Sequence, residues 1–209
     1  MTPLTILVTG GIGSGKSAVC SRYAALGIPV YDSDSRAKSL YDKSLRLSAN
    51  INAAFGGDLL DSGGRLDRAR LAERAFSSPA QLARLEAIVH PAVLEDFVAW
   101  RAAANAEVVI LESAIAASLP AFMAEVDRVL LVRADGNLRI SRAALRDGTS
   151  EEKIAQRIER QKEKQDCQLR EPDFVIENDG TLEELYSKAD EALRVLRESS
   201  GDIKETYKN

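Results

Sequence analysis

The chain has 209 residues, of which 45% are hydrophobic and 29% are charged, and its formal net charge is -4. This composition is typical of a globular protein with one core, or with one core that carries an inserted lobe, and the negative charge argues against a broad basic face for nucleic acid. The chain has no apolar run of membrane-spanning length and its first predicted strand begins almost at Met1, so we expect a cytoplasmic protein without a signal peptide or a membrane partner.

The first predicted elements are a short apolar strand at residues 4–8 and a helix at residues 18–26. Between them, residues 10–17 read GGIGSGKS, which fits the phosphate-loop pattern G-x-x-x-x-G-K-[ST] at every fixed position. The glycines allow a tight turn that brings backbone N–H groups close to phosphate oxygens. We therefore predict that a phosphorylated nucleotide binds here.

Two side chains at the end of this loop have distinct predicted roles. Lys16 supplies a positive charge for the outer phosphates, and the hydroxyl of Ser17 is suited to bind Mg²⁺. Together with the loop backbone, the predicted nucleotide-binding residues here are Gly11, Ile12, Gly13, Ser14, Gly15, Lys16, Ser17 and Ala18.

A second short strand, predicted at residues 28–31, is followed by Asp32, Ser33 and Asp34. A carboxylate after a strand of an open α/β sheet lies near the crevice where such folds bind ligands, which makes Asp32 or Asp34 a candidate general base. Each of the three residues also suits the N-cap of a helix predicted over residues 36–41. The spacing does not decide between these roles.

Residues 34–105 show mainly helical patterns. One helix is predicted to begin after Ser78, with proline at its first position, and the His90-Pro91 pair is predicted to interrupt it before the apolar period resumes. We expect a helical lobe between the second and third strands, with its apolar faces forming a core.

The remaining strands are predicted at residues 108–111, 126–132 and 174–176. Glu112 ends the first of them, where phosphate-loop proteins often carry an acidic residue that helps to hold Mg²⁺. The alternation of strands and helices predicts an α/β fold with a five-stranded parallel sheet covered by helices on both faces.

Two short basic helices, at residues 137–147 and 149–164, are predicted on either side of Gly148. Spacings of three and four place Arg139, Arg142 and Arg146 on one helix face. We expect these helices to form a lid that closes over phosphates, with Arg142 acting on the transferring group. A turn at residues 178–180 precedes the last predicted helix, and Thr181-Leu182-Glu183-Glu184 predicts a capping box at its start.

The sequence gives little support for a structural metal site or for disulfide bonds. The two cysteines, Cys20 and Cys167, are too few for a disulfide framework, and with the single histidine, His90, they match no recognised zinc spacing. A structural metal is not expected.

The sequence resembles the dephospho-CoA kinase family over roughly residues 4–196. The phosphate loop alone is shared by many families, but the order of the further elements is specific. The matching elements include Asp32-Ser33-Asp34, Phe55-Gly56, Gly64-Arg65-Leu66-Asp67-Arg68, His90-Pro91, Asp127-Arg128, Arg146-Asp147-Gly148, Gln161 and Asn178-Asp179-Gly180.

This resemblance implies one phosphate-loop kinase domain with a core at about residues 1–33, 106–134 and 171–200, a CoA-binding helical lobe at 34–105 and a lid at 135–170. It implies that ATP, with Mg²⁺, phosphorylates the 3′-hydroxyl of dephospho-CoA, the last step of coenzyme A synthesis. We expect a monomer or a weak homo-oligomer.

The resemblance also implies roles for single residues. Asp34 matches the base that accepts the hydroxyl proton, and Lys16 and Arg142 match the groups that steady the transferring phosphate. The implied acceptor side comprises Asp32, Asp34, His90 and Glu112, and the implied nucleotide side adds Arg139, Asn178, Asp179 and Gly180.

One segment departs from the family pattern. Residues 113–118 read SAIAAS, without the proline and the later acidic residue that the family usually has, which puts the acceptor contacts of this loop in doubt. Two alternatives remain: another small-acceptor kinase of the adenylate or nucleoside type, and a nucleotide-binding regulator without activity. A GTPase is disfavoured because no N-K-x-D element is present.

Overall fold

The structure is a computed structural model that describes residues 2–165 and 170–198. Residues 166–169 of the predicted lid, which include Cys167, lie outside this range. The strands are β1 (Leu4–Thr9), β2 (Val30–Asp32), β3 (Val108–Glu112), β4 (Arg128–Arg133) and β5 (Phe174–Glu177). They form a five-stranded parallel sheet in the order β2-β3-β1-β4-β5, which confirms the predicted fold class.

The α-helices are α1 (Lys16–Ala25), α2 (Ser33–Lys43), α3 (Leu45–Ala54), α4 (Arg68–Ala75), α5 (Pro79–Ala103), α6 (Pro120–Met123), α7 (Gly136–Asp147), α8 (Glu151–Gln165) and α9 (Leu182–Glu198). Side chains set several of their starts. At α9, for example, Thr181 N–H donates to Glu184 Oε2 at 3.0 Å and Glu184 N–H donates to Thr181 Oγ1 at 3.2 Å, the reciprocal capping box that the sequence predicts. In the described part of the chain, no helix is both long and apolar enough to cross a bilayer.

The central strand β1 is buried on both faces. Ile6 and Val8 pack into a core with residues of α1 and α9, and Leu7, which points to the opposite face, is also fully buried. Strands covered on both sides have apolar residues at successive positions, as here.

Two aspartates fix the starts of neighbouring strands. Asp127 Oδ2 accepts a hydrogen bond from Thr5 N–H at 2.7 Å, and Asp173 Oδ2 accepts one from Val129 N–H at 2.7 Å. Thr5 belongs to β1 and Val129 belongs to β4, so each carboxylate holds the start of a strand in register. The Asp127-Arg128 element of the family pattern therefore has a structural function in this chain.

The chain divides into two compact units, Met1–Tyr31 with Arg101–Asn209, and Asp32–Trp100. The first contains the sheet, the phosphate loop, α7 and α8. The second contains α2, α3, α4 and most of α5, and Ile51, Leu71 and Phe97 are among its buried side chains. The sequence predicts a lobe at 34–105, whereas this unit begins at Asp32 and ends at Trp100.

The prediction that His90-Pro91 interrupts a helix is wrong. α5 is one helix from Pro79 to Ala103 with Pro91 inside it. Pro91 has no N–H for the bond to the carbonyl four residues earlier, which costs about 3 kcal/mol. The buried side chains Val89, Val93 and Phe97 follow one another at spacings of four on one helix face, and their packing offsets that cost.

Candidate active site

The phosphate loop joins β1 to α1 and leaves the start of that helix open. α1 follows Gly15, which has φ of 99°, and no side chain caps its first N–H groups. Such a helix end attracts anions. A Cβ on Gly15 would lie 2.1 Å from Asn178 Nδ2, and one on Gly13, which has φ of 75°, would lie 2.2 Å from the Arg139 carbonyl oxygen. Only glycine fits these two positions.

Lys16, Ser17 and Glu112 form a cluster at the end of the loop. Ser17 Oγ donates to Glu112 Oε1 at 2.7 Å, and Lys16 Nζ lies 3.3 Å from the same oxygen. The Lys16 and Glu112 side chains are only 16% and 11% exposed. The parallel pairing of β1 with β3 aligns Val8 with Glu112 and so brings the carboxylate beside the loop.

The oxygens of Ser17 and Glu112 suit Mg²⁺. Mg²⁺ in nucleotide sites is held by one or two protein oxygens and completes its shell with water and phosphate oxygens. The two oxygens are 2.7 Å apart, close to the spacing of about 2.9 Å between neighbouring ligands of an octahedral Mg²⁺. Across residues 2–165 and 170–198, no group of three or more His, Cys, Asp or Glu side chains is placed to hold a metal. The fit is therefore to a metal that is shared with phosphate.

Two buried donors near the loop have no hydrogen-bond partner within the described part of the chain: Ser14 Oγ and Arg139 Nη2. Ser14 is 1% exposed. Burial also lowers the pKa of the Arg139 guanidinium. An unpaired buried donor is costly, most of all when it is charged. Two such donors at a loop shaped for anions indicate phosphate oxygens as their partners.

Arg142 lies against the turn after β5. Its Nη1 donates to the Asn178 carbonyl oxygen at 2.8 Å and its Nη2 donates to the Gly180 carbonyl oxygen at 3.4 Å. Asn178 in turn donates from Nδ2 to the Ser14 carbonyl oxygen at 2.8 Å. In addition, Asp179 Oδ1 accepts from a backbone N–H near the start of α7 at 2.7 Å. The turn is thus tied to both the phosphate loop and the lid.

Arg146 has a different environment, although its spacing places it on the same helix face. Its Nε donates to Asp147 Oδ1 at 2.8 Å, and Arg157 Nη1 donates to Asp147 Oδ2 at 2.7 Å. The two guanidinium groups lower the pKa of Asp147 to about 2. Arg146 is therefore neutralised inside the lid, whereas no carboxylate pairs with Arg139 or Arg142 among the described residues.

Within the Asp32–Trp100 unit, the structure identifies the cap that the sequence leaves open. Asp32 Oδ1 accepts hydrogen bonds from the N–H groups of Asp34 at 3.0 Å and of Ser35 at 3.2 Å, so Asp32 is the N-cap of α2. Asp34 lies exposed in the first turn of this helix, and His90 lies within α5. The roles that the resemblance implies for Asp32, Asp34 and His90 stay predictions.

The same unit has a cavity of about 810 Å³ lined in part by Arg70, Arg74, Arg84 and Phe55. Arg74 is paired with Asp58 through two hydrogen bonds, at 2.6 and 2.7 Å. We assign the cavity no role.

In the loop that departs from the family pattern, serine hydroxyls form hydrogen bonds with nearby backbone groups. Ser113 Oγ accepts from the N–H groups of Ile115 at 3.3 Å and Ala116 at 3.2 Å, and a short 3₁₀ turn, Ala116–Ser118, follows. Ser118 Oγ donates to the Ile115 carbonyl oxygen at 2.8 Å. Serine hydroxyls thus close this turn in a segment that lacks the family's proline.

One residue of the site had no predicted role. Gln161, in α8, accepts a hydrogen bond on Oε1 from the Ile12 N–H at 2.9 Å. Its place in the family pattern was the signal available in the sequence. No spacing rule connects a residue 149 positions away to the loop, because the contact depends on how α8 packs.

Comparisons with known proteins identify related sequences. The dephospho-CoA kinase family model matches residues 4–184. A dephospho-CoA kinase of Porphyromonas gingivalis is 42% identical over 175 residues, which cover 84% of this chain and 86% of that protein.

Two solved structures are also similar. A Thermus thermophilus protein has a TM-score of 0.75 and 31% identity, with 95% of this chain and 98% of that chain covered. A dephospho-CoA kinase from Campylobacter jejuni has a TM-score of 0.60 and covers 94% of this chain and 98% of its own; at 20% identity it supports the fold alone. From the family model and the Porphyromonas relative together, it follows that the chain belongs to the dephospho-CoA kinase family.

Proposed function

We propose that this protein transfers the γ-phosphoryl group of ATP to the 3′-hydroxyl of dephospho-CoA and so forms coenzyme A. The observation that carries the proposal is the cluster of Lys16, Ser17 and Glu112 at an uncapped helix start, beside two buried donors without partners. Membership of the dephospho-CoA kinase family supplies the acceptor.

The nucleotide occupies the phosphate loop in this proposal. Loop N–H groups bind the phosphate oxygens, Lys16 Nζ neutralises charge on the outer phosphates, and the turn after β5 faces the adenine. The residues proposed for nucleotide binding are Gly11, Ile12, Gly13, Ser14, Gly15, Lys16, Ser17, Ala18, Arg139, Asn178, Asp179 and Gly180.

Ser17 and Glu112 would hold Mg²⁺, which when bound reduces the negative charge on the phosphate oxygens. Without the metal, the direct hydrogen bond between Ser17 and Glu112 keeps the hydroxyl and the carboxylate facing each other. Lys16 donates to the same carboxylate, so its ammonium group is already directed to the end of the loop. This arrangement lowers the reorganisation needed when the nucleotide binds.

We assign Arg142 to the transferring phosphate, since its charge is not neutralised by a carboxylate within the described residues. Its bonds to the carbonyl oxygens of Asn178 and Gly180 hold the guanidinium at the turn after β5. Arg146 lacks this potential because Asp147 neutralises it.

On the acceptor side, we propose that Asp34 accepts the proton of the attacking hydroxyl. Two observations support Asp34 over Asp32: the Asp34 carboxylate is exposed, whereas Asp32 is committed to the N-terminus of α2. Asp32, His90 and Glu112 are proposed to bind the acceptor, as the family pattern implies.

We propose that a monomer is active and that any homo-oligomer is weak. Activity in the cytoplasm, where ATP is formed, fits the same proposal. Light scattering of the active fraction would check the first point, and cell fractionation the second.

The experiment that tests the proposed function is an acceptor panel. Purified protein with Mg²⁺ and ATP is incubated with dephospho-CoA, adenosine, AMP or no acceptor, and products are identified by mass. We expect one added phosphate on dephospho-CoA alone. Phosphorylation of AMP or adenosine instead would assign another acceptor, and ATP binding without any product would favour a nucleotide-binding regulator.

A further inference from the structure

The first turn of α2 carries two charged side chains in different surroundings. Asp34, the proposed base, is exposed, whereas Arg36 is half-buried. Arg36 Nε donates to Asp96 Oδ2 at 2.8 Å, and Arg36 Nη2 donates to Asp96 Oδ1 at 2.8 Å. Asp96 belongs to α5, so this ion pair joins the helix that carries Asp34 to the helix that carries His90.

The ion pair between Arg36 and Asp96 fixes an orientation as well as a distance. Two N–H···O bonds between a planar guanidinium and a planar carboxylate define the relative orientation of the two groups, which a single bond would not. The Arg36 and Asp96 side chains are 40% and 21% exposed, so solvent screens this pair less than it screens a fully exposed pair. We call this pair of bonds the α2–α5 fork.

A neighbouring ion pair on α5 has a different character. Arg46 Nη2 donates to Glu95 Oε2 and so joins α3 to α5, but these two side chains are 74% and 64% exposed. Exposed ion pairs contribute little to stability. Glu95 directly precedes Asp96, and α3 carries no residue with a proposed role in the reaction. The pair of Arg46 and Glu95 is therefore a matched control for the α2–α5 fork.

Helix geometry connects the fork to the direction of Asp34. Each residue turns an α-helix by about 100°, so the side chains of Asp34 and Arg36 project about 200° apart. The burial pattern agrees, since Ser33, three positions before Arg36, is buried, whereas Asp34 and Ser35 are exposed. With Arg36 held on α5, the Asp34 carboxylate projects from the opposite side of α2.

We propose that Arg36 and Asp96 are positioning residues for the transfer of the phosphoryl group. The α2–α5 fork sets the rotation of α2 on α5 and so directs the Asp34 carboxylate to the acceptor hydroxyl. It also holds the helix of Asp34 against the helix of His90, which is proposed to bind the same acceptor. The inference rests on the proposed function, because it requires Asp34 to be the base.

A purely structural role for the fork predicts a different result. If Arg36 and Asp96 only stabilised the helical unit, their substitution would lower Tm and leave kcat per folded molecule unchanged. Any effect on kcat would also be the same with and without the Asp34 carboxylate. A positioning role requires the effect on kcat to disappear when Asp34 is no longer a base, because the fork acts on the rate through that carboxylate.

The test compares Arg36→Lys and Asp96→Asn with the control variants Arg46→Lys and Glu95→Gln. Each substitution is made in the wild-type protein and in Asp34→Asn, and steady-state kinetics at saturating Mg²⁺-ATP give kcat and the KM for dephospho-CoA. Lysine keeps the charge of Arg36 without its planar fork, and asparagine keeps the shape of Asp96 without its charge. Thermal unfolding gives the folded fraction, so that kcat is expressed per folded molecule.

Arg36→Lys and Asp96→Asn are each expected to lower kcat by about 10-fold, because a small misplacement of a reacting group is costly in rate. In the Asp34→Asn protein, the same two substitutions should change kcat by less than about 2-fold. The control variants should keep the kcat of the protein in which they are made. The affinity for Mg²⁺-ATP, measured by calorimetry, should be unchanged in every variant, since no proposed nucleotide contact is altered.

Three results would overturn the inference in an active protein. They are an unchanged kcat in both Arg36→Lys and Asp96→Asn, an equal loss of kcat with and without the Asp34 carboxylate, and a loss of the same size in Glu95→Gln. Failure of the proposed function has a separate signature. In that case the wild-type protein itself leaves dephospho-CoA unphosphorylated, and the base on which the inference rests is removed with it.

Discussion

We propose that the phosphate loop and the lid bind the same nucleotide, and the two regions hold their donor groups in different ways. In the loop, the N–H groups are fixed by the backbone, where glycine is required at Gly13 and Gly15. In the lid, three arginines on one helix depend on side-chain surroundings: Arg139 lies on the loop, Arg142 on the turn after β5, and Arg146 on Asp147.

This difference indicates how each region contributes to catalysis. Backbone donors are preorganised and are not removed by single side-chain substitutions, so we expect the loop to determine whether a nucleotide binds at all. Each lid arginine has its own partner and can be removed alone, so the lid divides positioning and charge among separate residues. Substitutions at the end of the loop should therefore lower kcat strongly. Substitutions in the lid should lower kcat by amounts that differ from one arginine to the next.

The largest effect is expected at Lys16. Lys16→Met removes the ammonium group that neutralises the outer phosphates, and we expect kcat to fall by at least about 10³-fold. The circular dichroism spectrum should be unchanged, because among the described residues the side chain bonds to Glu112 alone. Initial-rate kinetics with saturating ATP measure this, and retained turnover would contradict the role.

Arg142 is the lid residue with the largest expected effect. Arg142→Ala should lower kcat by about 10³-fold, as for other arginines that steady a transferring phosphoryl group. Steady-state kinetics separate kcat from the KM for ATP. An increase in that KM with normal kcat would show instead that Arg142 only orders the turn at Asn178 and Gly180.

Asp34→Asn is expected to have a smaller effect, about 10²-fold in kcat, because a general base contributes less than charge neutralisation and positioning. Asp32→Asn is a matched comparison two residues earlier: asparagine also caps a helix, so stability should change little, and a rise in the KM for dephospho-CoA would report the proposed acceptor contact of Asp32. A loss for Asp34→Asn greater than those for Lys16→Met and Arg142→Ala would contradict the ranking.

Glu112→Gln should change the dependence on Mg²⁺. The amide keeps the size of the side chain but loses the charge that pairs with Lys16 and faces the Ser17 hydroxyl. We expect the Mg²⁺ concentration for half-maximal activity to rise by about 10- to 100-fold. A Mg²⁺ titration at saturating ATP checks this, and an unchanged titration midpoint would remove Glu112 from the metal site.

The smallest effect is expected at Asp147, which joins Arg146 and Arg157. Its pKa of about 2 lies below the ordinary 3.8, so its stabilising contribution is present above that ordinary value and is lost as the pH falls toward 2. Asp147→Asn should unfold slightly earlier in urea at neutral pH, and its midpoint should converge with that of wild type in acid. Salt should shrink the difference at neutral pH, since the charges are exposed.

Much of the architecture could be predicted because its signals are local. The loop motif, the apolar strands and the capping box at Thr181 each depend on residues a few positions apart, and all are found in the structure. The prediction that the helix is interrupted at Pro91 was wrong because burial of one face of α5 stabilises the helix more than the proline destabilises it. Tertiary packing is not contained in a local pattern.

In the candidate site, local sequence patterns predict even less of the contacts that side chains make. The spacing of Arg139 and Arg142 gives their helix face correctly but not their partners, which lie on the loop and on the turn after β5. Likewise, no local rule connects Gln161 to Ile12. Residue types and spacing thus identify candidates, whereas their separate roles depend on contacts between distant segments.

The most direct test of the central claim follows the γ-phosphoryl group itself. ATP carrying ³²P at the γ-position is mixed with excess enzyme and dephospho-CoA, and single-turnover samples from wild type and Lys16→Met are analysed by chromatography with radiometric detection, while ³¹P NMR of the unlabelled product locates the new phosphate. We expect the label to appear on the 3′-oxygen of coenzyme A and Lys16→Met to slow its appearance by at least about 10³-fold. Release of the label as inorganic phosphate with or without dephospho-CoA would contradict it.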